Sequence, residues 1–138
     1  MASARIAAVA TWVYAAGFGL PTIPIGFYLW QRGTLPYFGD LFQMYGGPWS
    51  AEYSSDRMMV LLLAFLVATA AASWSAWWLW QRRRVGAVLN LALLPLEAIF
   101  WWGFALPIPW LVGVVRIVAV AGAWRSLSAK FGAHSRQA

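Results

Sequence analysis

The sequence predicts an all-α integral membrane protein, a bundle of four transmembrane helices. Two observations carry this. Hydrophobic residues make up 62% of the 138 positions and charged residues 10%, against roughly 45–50% and 25% in soluble domains. The apolar residues also gather into four stretches, residues 6–30, 58–80, 85–106 and 110–127, each near the ~20 residues that cross a hydrocarbon core. Residues 1–127 are therefore expected to form a single transmembrane domain, with a basic cytoplasmic tail over 128–138.

The first stretch, Ile6 to Trp30, follows a short start containing Arg5 and the α-amine. Its apolar character runs on past Gly19, which argues for an uncleaved helix over a signal peptide. Gly17, Gly19, Pro21, Pro24 and Gly26 interrupt it. Two prolines this close remove backbone donors, so either a kink near the outer surface or a broken helix lining a site is expected.

Residues 31–56 form the longest connection and are rich in aromatic residues. Phe38, Leu41, Phe42 and Tyr45 follow the i, i+3, i+4, i+7 spacing of one helical face. Thr34 suits a cap, Pro36 a first turn, and Gly46, Gly47 and Pro48 a stop. The spacing predicts a short interfacial helix over about 35–45, with Asp40 facing water. The alternative is a lid over a cavity in the bundle.

The second stretch runs from Met58 to Trp80 and stops at Gln81, Arg82, Arg83 and Arg84. Ala64, Ala68, Ala72 and Ala76 make a smooth strip for close helix approach. Trp74, Trp77, Trp78 and Trp80 mark its end at the headgroup level. The third stretch, Val85 to Leu106, and the fourth, Trp110 to Leu127, are separated only by Pro107, Ile108 and Pro109. They must be antiparallel neighbours.

Arg5, Arg82, Arg83, Arg84, Arg125, Lys130 and Arg136 fall on one side of this arrangement. Arg32 and Arg57 fall on the other, beside Asp40, Glu52 and Asp56. By the positive-inside rule both termini are cytoplasmic, in a plasma membrane of bacterial type. The net charge of +6 is explained by this topology and by anionic lipid, so no nucleic-acid partner is expected.

The absence of cysteine excludes disulfides, thiol catalysis and thiolate metal sites. The one histidine, His134, reads as a solvated tail residue, and a haem held by two histidines within one chain is excluded. No metal or cofactor is expected.

Polar residues at membrane depth are the candidate site, because each is expensive there. They are Tyr14, Thr69, Ser73, Asn90, Glu97 and Arg116. Thr69 and Ser73 suit hydroxyl bonds to the preceding turn, and Asn90 suits either interhelical glue or a polar cavity. Glu97 and Arg116 lie roughly 13 Å and 10 Å along their helices from the shared turn, so an intramembrane ion pair, or a ligand site in its place, is expected. Pro95 frees the carbonyl of Leu91, a further acceptor for the guanidinium. Tyr14, Asn90, Trp101 and Trp102 are expected around it as a polar or aromatic cavity. The stretch Pro95, Leu96, Glu97 and Phe100 resembles the Pro-x-Glu motif of small membrane lycopene cyclase subunits, over six positions. The resemblance implies a cyclase role for Glu97, although no second acidic motif accompanies it.

Three functions follow as expectations. The first is a noncatalytic accessory or assembly subunit packing against a larger membrane complex, or against further copies of itself. It is favoured by the alanine strip, the eleven tryptophans and the shortage of reactive groups. The second is a binder or carrier of a hydrophobic small molecule or lipid, using the aromatic cluster Phe100, Trp101, Trp102 and Phe104. The third is a small ion-coupled transporter working as an oligomer, with Glu97 carrying the ion.

Overall fold

The computed structural model describes residues 2–127, so the tail expected over 128–138, with Lys130, His134 and Arg136, lies outside the described residues. In chain order the elements are α1 (Ala2–Tyr14), a π turn (Ala15–Gly19), α2 (Thr22–Arg32), β1 (Tyr37–Phe38), β2 (Phe42–Gln43), α3 (Pro48–Glu52), α4 (Ser55–Trp80), α5 (Arg84–Gly103) and α6 (Ile108–Ala123), which a 3₁₀ turn continues to Ser126. Among the described residues four helices are long and apolar enough to cross a membrane: Ala2–Arg32, Ser55–Trp80, Arg84–Gly103 and Ile108–Ser126. They form one bundle.

The first span survives its prolines by widening. Leu20 N–H reaches five residues back to the Ala15 carbonyl at 3.1 Å, so the π turn absorbs the mismatch created where Pro21 lacks a donor. Pro24 falls in the first turn of α2, where an N–H has no intrahelical partner to lose. The span is thus continuous, not broken. Gly19 lies directly against the Thr69 side chain, where a β-carbon would not fit.

The helix expected over 35–45 is not formed. Tyr37 pairs with Gln43 and Phe38 with Phe42 in a small antiparallel hairpin, turned through Gly39 at φ 58°. Phe38 and Phe42 stack across it, centroids 5.6 Å apart. The same spacing that marks a helical face also places two rings opposite each other across a tight turn, and glycine at the turn favours the second solution. The helix in this connection comes later, as α3, because Pro48 opens it where a stop was expected. Asp40 is exposed as expected, whereas Tyr45 is buried and packs on Phe65 and Phe104.

Tyr45 fastens the connection to the bundle. Its hydroxyl donates to the Phe18 carbonyl within the π turn, and burial pushes the hydroxyl pKa up, so it remains a donor through the neutral range. Trp49 adds edge contacts to Phe100 and Phe104. Tyr45→Phe is expected to cost about 1 kcal/mol and to speed hydrogen exchange across residues 37–49. Unchanged exchange would place the anchor in Trp49 instead.

Both later helical turns end in a Schellman arrangement without glycine. Arg83 N–H bonds Trp78 O at 3.0 Å and Arg82 N–H bonds Leu79 O at 2.9 Å, with Arg82 at φ 58°. Leu106 bonds Trp101 O and Ala105 bonds Trp102 O in the same way, with Ala105 at φ 52°. Helix α5 therefore stops at Gly103, three residues short of the expected end.

The first span packs closely on the second and fourth, and the second packs closely on the third. The third and fourth are neighbours as expected, but they are the loosest of these pairs. Two core regions explain this. At one end Ala4, Ala7, Ala87, Ala119 and Ala123 are buried together, and small side chains let backbones approach. At the other, Phe65, Leu94, Phe100, Trp101 and Phe104 fill a wider core. Of the alanine strip, Ala68, Ala72 and Ala76 are buried while Ala64 is exposed.

Candidate functional site

Seven polar or aromatic side chains from all four spans meet where the two core regions join. Asn90 is the hub. From α5 its amide nitrogen donates to Thr11 Oγ1 at 3.1 Å and Ser75 Oγ at 3.0 Å, which brings in the first and second spans. Its amide oxygen accepts from Arg116 Nε at 3.0 Å, which brings in the fourth. Thr11 and Ser75 pass their own hydroxyl protons to Ala7 O at 2.8 Å and Ala72 O at 2.7 Å, so both can act as acceptors for the amide.

Arg116 uses all three of its nitrogens. Besides the Nε contact, Nη1 donates to Glu97 Oε2 at 2.6 Å and Nη2 to the backbone carbonyl of Asn90 at 3.1 Å. The guanidinium carbon stands 5.7 Å from the Tyr14 ring centroid, a cation–π distance. Arg116, Glu97 and Asn90 are each fully buried. The ion pair expected from the depth of the two residues is therefore present. The additional acceptor is the Asn90 carbonyl and not that of Leu91, since the fork of the guanidinium grips both oxygens of one asparagine.

Tyr14 closes the network on the aromatic side. Its hydroxyl accepts from Trp101 Nε1 at 2.8 Å, and Trp101 lies over Gly113 and edge-on to Trp110, with centroids 5.4 Å apart. The indole thus spans the wider gap between α5 and α6. Trp102 does not join this group. It is 61% exposed, because adjacent helical residues point about 100° apart and Trp101 takes the inward direction.

Thr11 and Ser75 escaped sequence reasoning, which singled out Thr69 and Ser73. A signal existed. Thr11 precedes Tyr14 by three residues on one helical face, and Ser75 borders the buried Ala72 and Ala76. Thr69 bonds back to Leu66 O at 2.9 Å, as expected of a structural hydroxyl. Ser73 is half-buried and offers its carbonyl to Trp12 Nε1 at 3.2 Å.

One atom is left over: Glu97 Oε1 is buried and has no hydrogen-bond partner among the described residues. Acid–base chemistry would need a second group positioned within reach. The donors of Arg116 are engaged with Glu97 Oε2 and with Asn90.

No protein-family model, curated protein or solved structure matches this chain. The Pro-x-Glu stretch therefore stands on its own few residues, and its carboxylate is held by Arg116. The surface grooves lie apart from the network. One, of about 280 Å³, runs between α2 and α4 and is lined by Thr22, Gly26, Phe27, Met59 and Leu63. Another, of about 410 Å³, lies under Trp49 and Tyr53 beside Asp56 and Arg57.

Proposed function

We propose that this chain is a noncatalytic membrane subunit, an accessory or assembly factor that packs against a larger membrane complex. The observation that carries the reading is that the polar network is spent on packing: Asn90 and Arg116 bond one another and three neighbouring spans, with Glu97 Oε1 the one buried side-chain atom left over among the described residues. Such a network braces four helices, and none of its side chains lines either of the grooves described above. What remains for function is the outer surface, where Val60, Leu63, Val67, Leu111, Val114 and Val118 are all exposed. Lipid or a partner helix covers residues of this kind.

Orientation belongs to the same proposal. Arg5, Arg82, Arg83, Arg84 and Arg125 share one end of the bundle with no acid beside them among the described residues, while Arg32 and Arg57 stand at the other with Asp40, Glu52 and Asp56. The positive-inside rule places the first end in the cytoplasm. Reporters fused after Arg84 are expected to read as cytoplasmic and those near Gly47 as external. A cytoplasmic signal near Gly47 would overturn this orientation.

Crosslinking in the native membrane followed by affinity purification tests the subunit reading. A stoichiometric membrane-protein partner is the expected result, and recovery as a lone monomer after efficient crosslinking would overturn it. The apolar groove beside Gly26 favours a second reading, a hydrophobic ligand or lipid held between α2 and α4. A stoichiometric nonbulk molecule recovered with the purified chain would support that one instead.

A further inference from the structure

The buried network holds one acceptor without a donor and one donor without an acceptor. The acceptor is Glu97 Oε1, a carboxylate oxygen of a fully buried side chain with no hydrogen-bond partner among the described residues. The donor is the hydroxyl proton of Tyr14. Tyr14 Oη accepts from Trp101 Nε1 at 2.8 Å, a bond that uses a lone pair of the oxygen and leaves its own O–H unspent. No described residue accepts that proton, and Tyr14 is only 1% exposed, so the surroundings of the bundle do not reach it.

Two contacts set these groups beside each other. Arg116 touches both residues: Nη1 is 2.6 Å from Glu97 Oε2, and the guanidinium carbon is 5.7 Å from the Tyr14 ring centroid. Trp101 stands one turn beyond Glu97 on α5, and helical side chains lean toward the N-terminus of their helix, so the indole that meets Tyr14 Oη leans back toward Glu97. Phe65 and Trp101 hold the Tyr14 ring edge-on, which fixes where its hydroxyl stands. The two groups do not bond each other directly.

A buried carboxylate oxygen without a donor is costly, and an O–H without an acceptor adds to the cost. One molecule placed between them relieves both, provided that it can accept from Tyr14 and donate to Glu97. A metal cation cannot accept the tyrosine proton, and it would stand beside the Arg116 charge. An anion such as chloride cannot donate to the carboxylate. Water does both, and a buried water held by two or more polar groups is an ordinary part of a protein interior.

We propose that one internal water molecule is bound between Tyr14 and Glu97, accepting from the Tyr14 hydroxyl and donating to Glu97 Oε1. It ties the first span to the ion pair of the third and fourth by a route separate from the Thr11 bond to Asn90. Nothing in it depends on whether the chain is a subunit or a ligand carrier.

The test is a pair of crystal structures of the full chain grown from a lipid mesophase, native and Tyr14→Phe, at a resolution that shows ordered water. The native protein is expected to show one isolated density peak about 2.7–2.8 Å from both Tyr14 Oη and Glu97 Oε1, the usual spacing for an O–H···O bond. In Tyr14→Phe the peak is expected to be lost, with the Glu97–Arg116 pair still in place. No native peak, a direct bond between Tyr14 and Glu97, or a peak unchanged in Tyr14→Phe would overturn the proposal. A thermal cycle in detergent reads the same link without crystals. Tyr14→Phe keeps the ring under Arg116 and removes only the hydroxyl, so the melting-temperature drops of Tyr14→Phe and Glu97→Gln should sum to more than the drop of the double variant. Additive drops would mean that no water joins the two groups, and would also overturn it.

Discussion

Glu97→Gln and Arg116→Gln are each expected to lower stability in detergent by roughly 3 kcal/mol or more, the usual consequence of removing one member of a buried ion pair. The size follows from which interaction is lost. A neutral hydrogen bond between membrane helices is worth only about 0.6 kcal/mol on average, so the contacts of Asn90 with Thr11 and Ser75 would not produce such a loss. The charge pair would, because the partner left behind stays buried without its counter-charge. Arg116→Gln should be the more damaging of the two. It also removes the donors that hold Asn90 Oδ1 and the Asn90 carbonyl, and it opens space beside Tyr14. The double variant should cost less than the sum of the singles by about 1–3 kcal/mol, the range seen for residues in one network. The same cycle separates the proposed subunit role from ion transport. If Glu97→Gln leaves the melting temperature unchanged yet abolishes uptake of an ion into vesicles, the carboxylate works on a substrate, and the bracing role assigned to it is wrong.

The spans and this pair were legible from composition and arithmetic. Each apolar stretch is long enough to cross a bilayer, and Glu97 and Arg116 fall at similar depth on helices joined by a short turn. Other features were hidden for identifiable reasons. The ends of α4 and α5 rest on Arg82 and Ala105 in left-handed conformation, and neither residue carries the stop signal that glycine would. The hairpin at Phe38 and Phe42 shares its spacing with a helical face, and only Gly39 told against the helix. Thr11 and Ser75 became important through Asn90, a partner 79 residues away in one case and 15 in the other. Local spacing could set each on an inward face, but it does not name a partner at that range. The close packing of the first and fourth spans was equally silent, since alanines such as Ala7 and Ala119 are common in any membrane helix.

Gly86 is a position outside the network where a single added methyl group is expected to do large harm. It sits two residues into α5, directly after the turn that reverses the chain from α4. A β-carbon there would fall well inside contact distance of backbone atoms of Ser75, Trp78 and Leu79. Overpacking in a filled core costs typically 1–3 kcal/mol when side chains can shift. Here the atoms in the way belong to the helix backbone and cannot rotate aside, so Gly86→Ala should lie at the upper end of that range or beyond. The displacement would be felt at the hub, because Asn90 stands one turn further along α5 and its bond to Ser75 spans the same interface. Gly26→Ala supplies the contrast. Nothing lies within 4 Å of its added carbon, and replacing glycine by alanine inside a helix is worth about 0.5–1 kcal/mol in favour of the helix. The two substitutions are chemically identical and should move the melting temperature in opposite directions. Paired thermal unfolding in one detergent would decide it. A Gly86→Ala protein as stable as the parent would mean that α4 and α5 do not approach this closely, and the bundle arrangement argued from that contact would have to be redrawn.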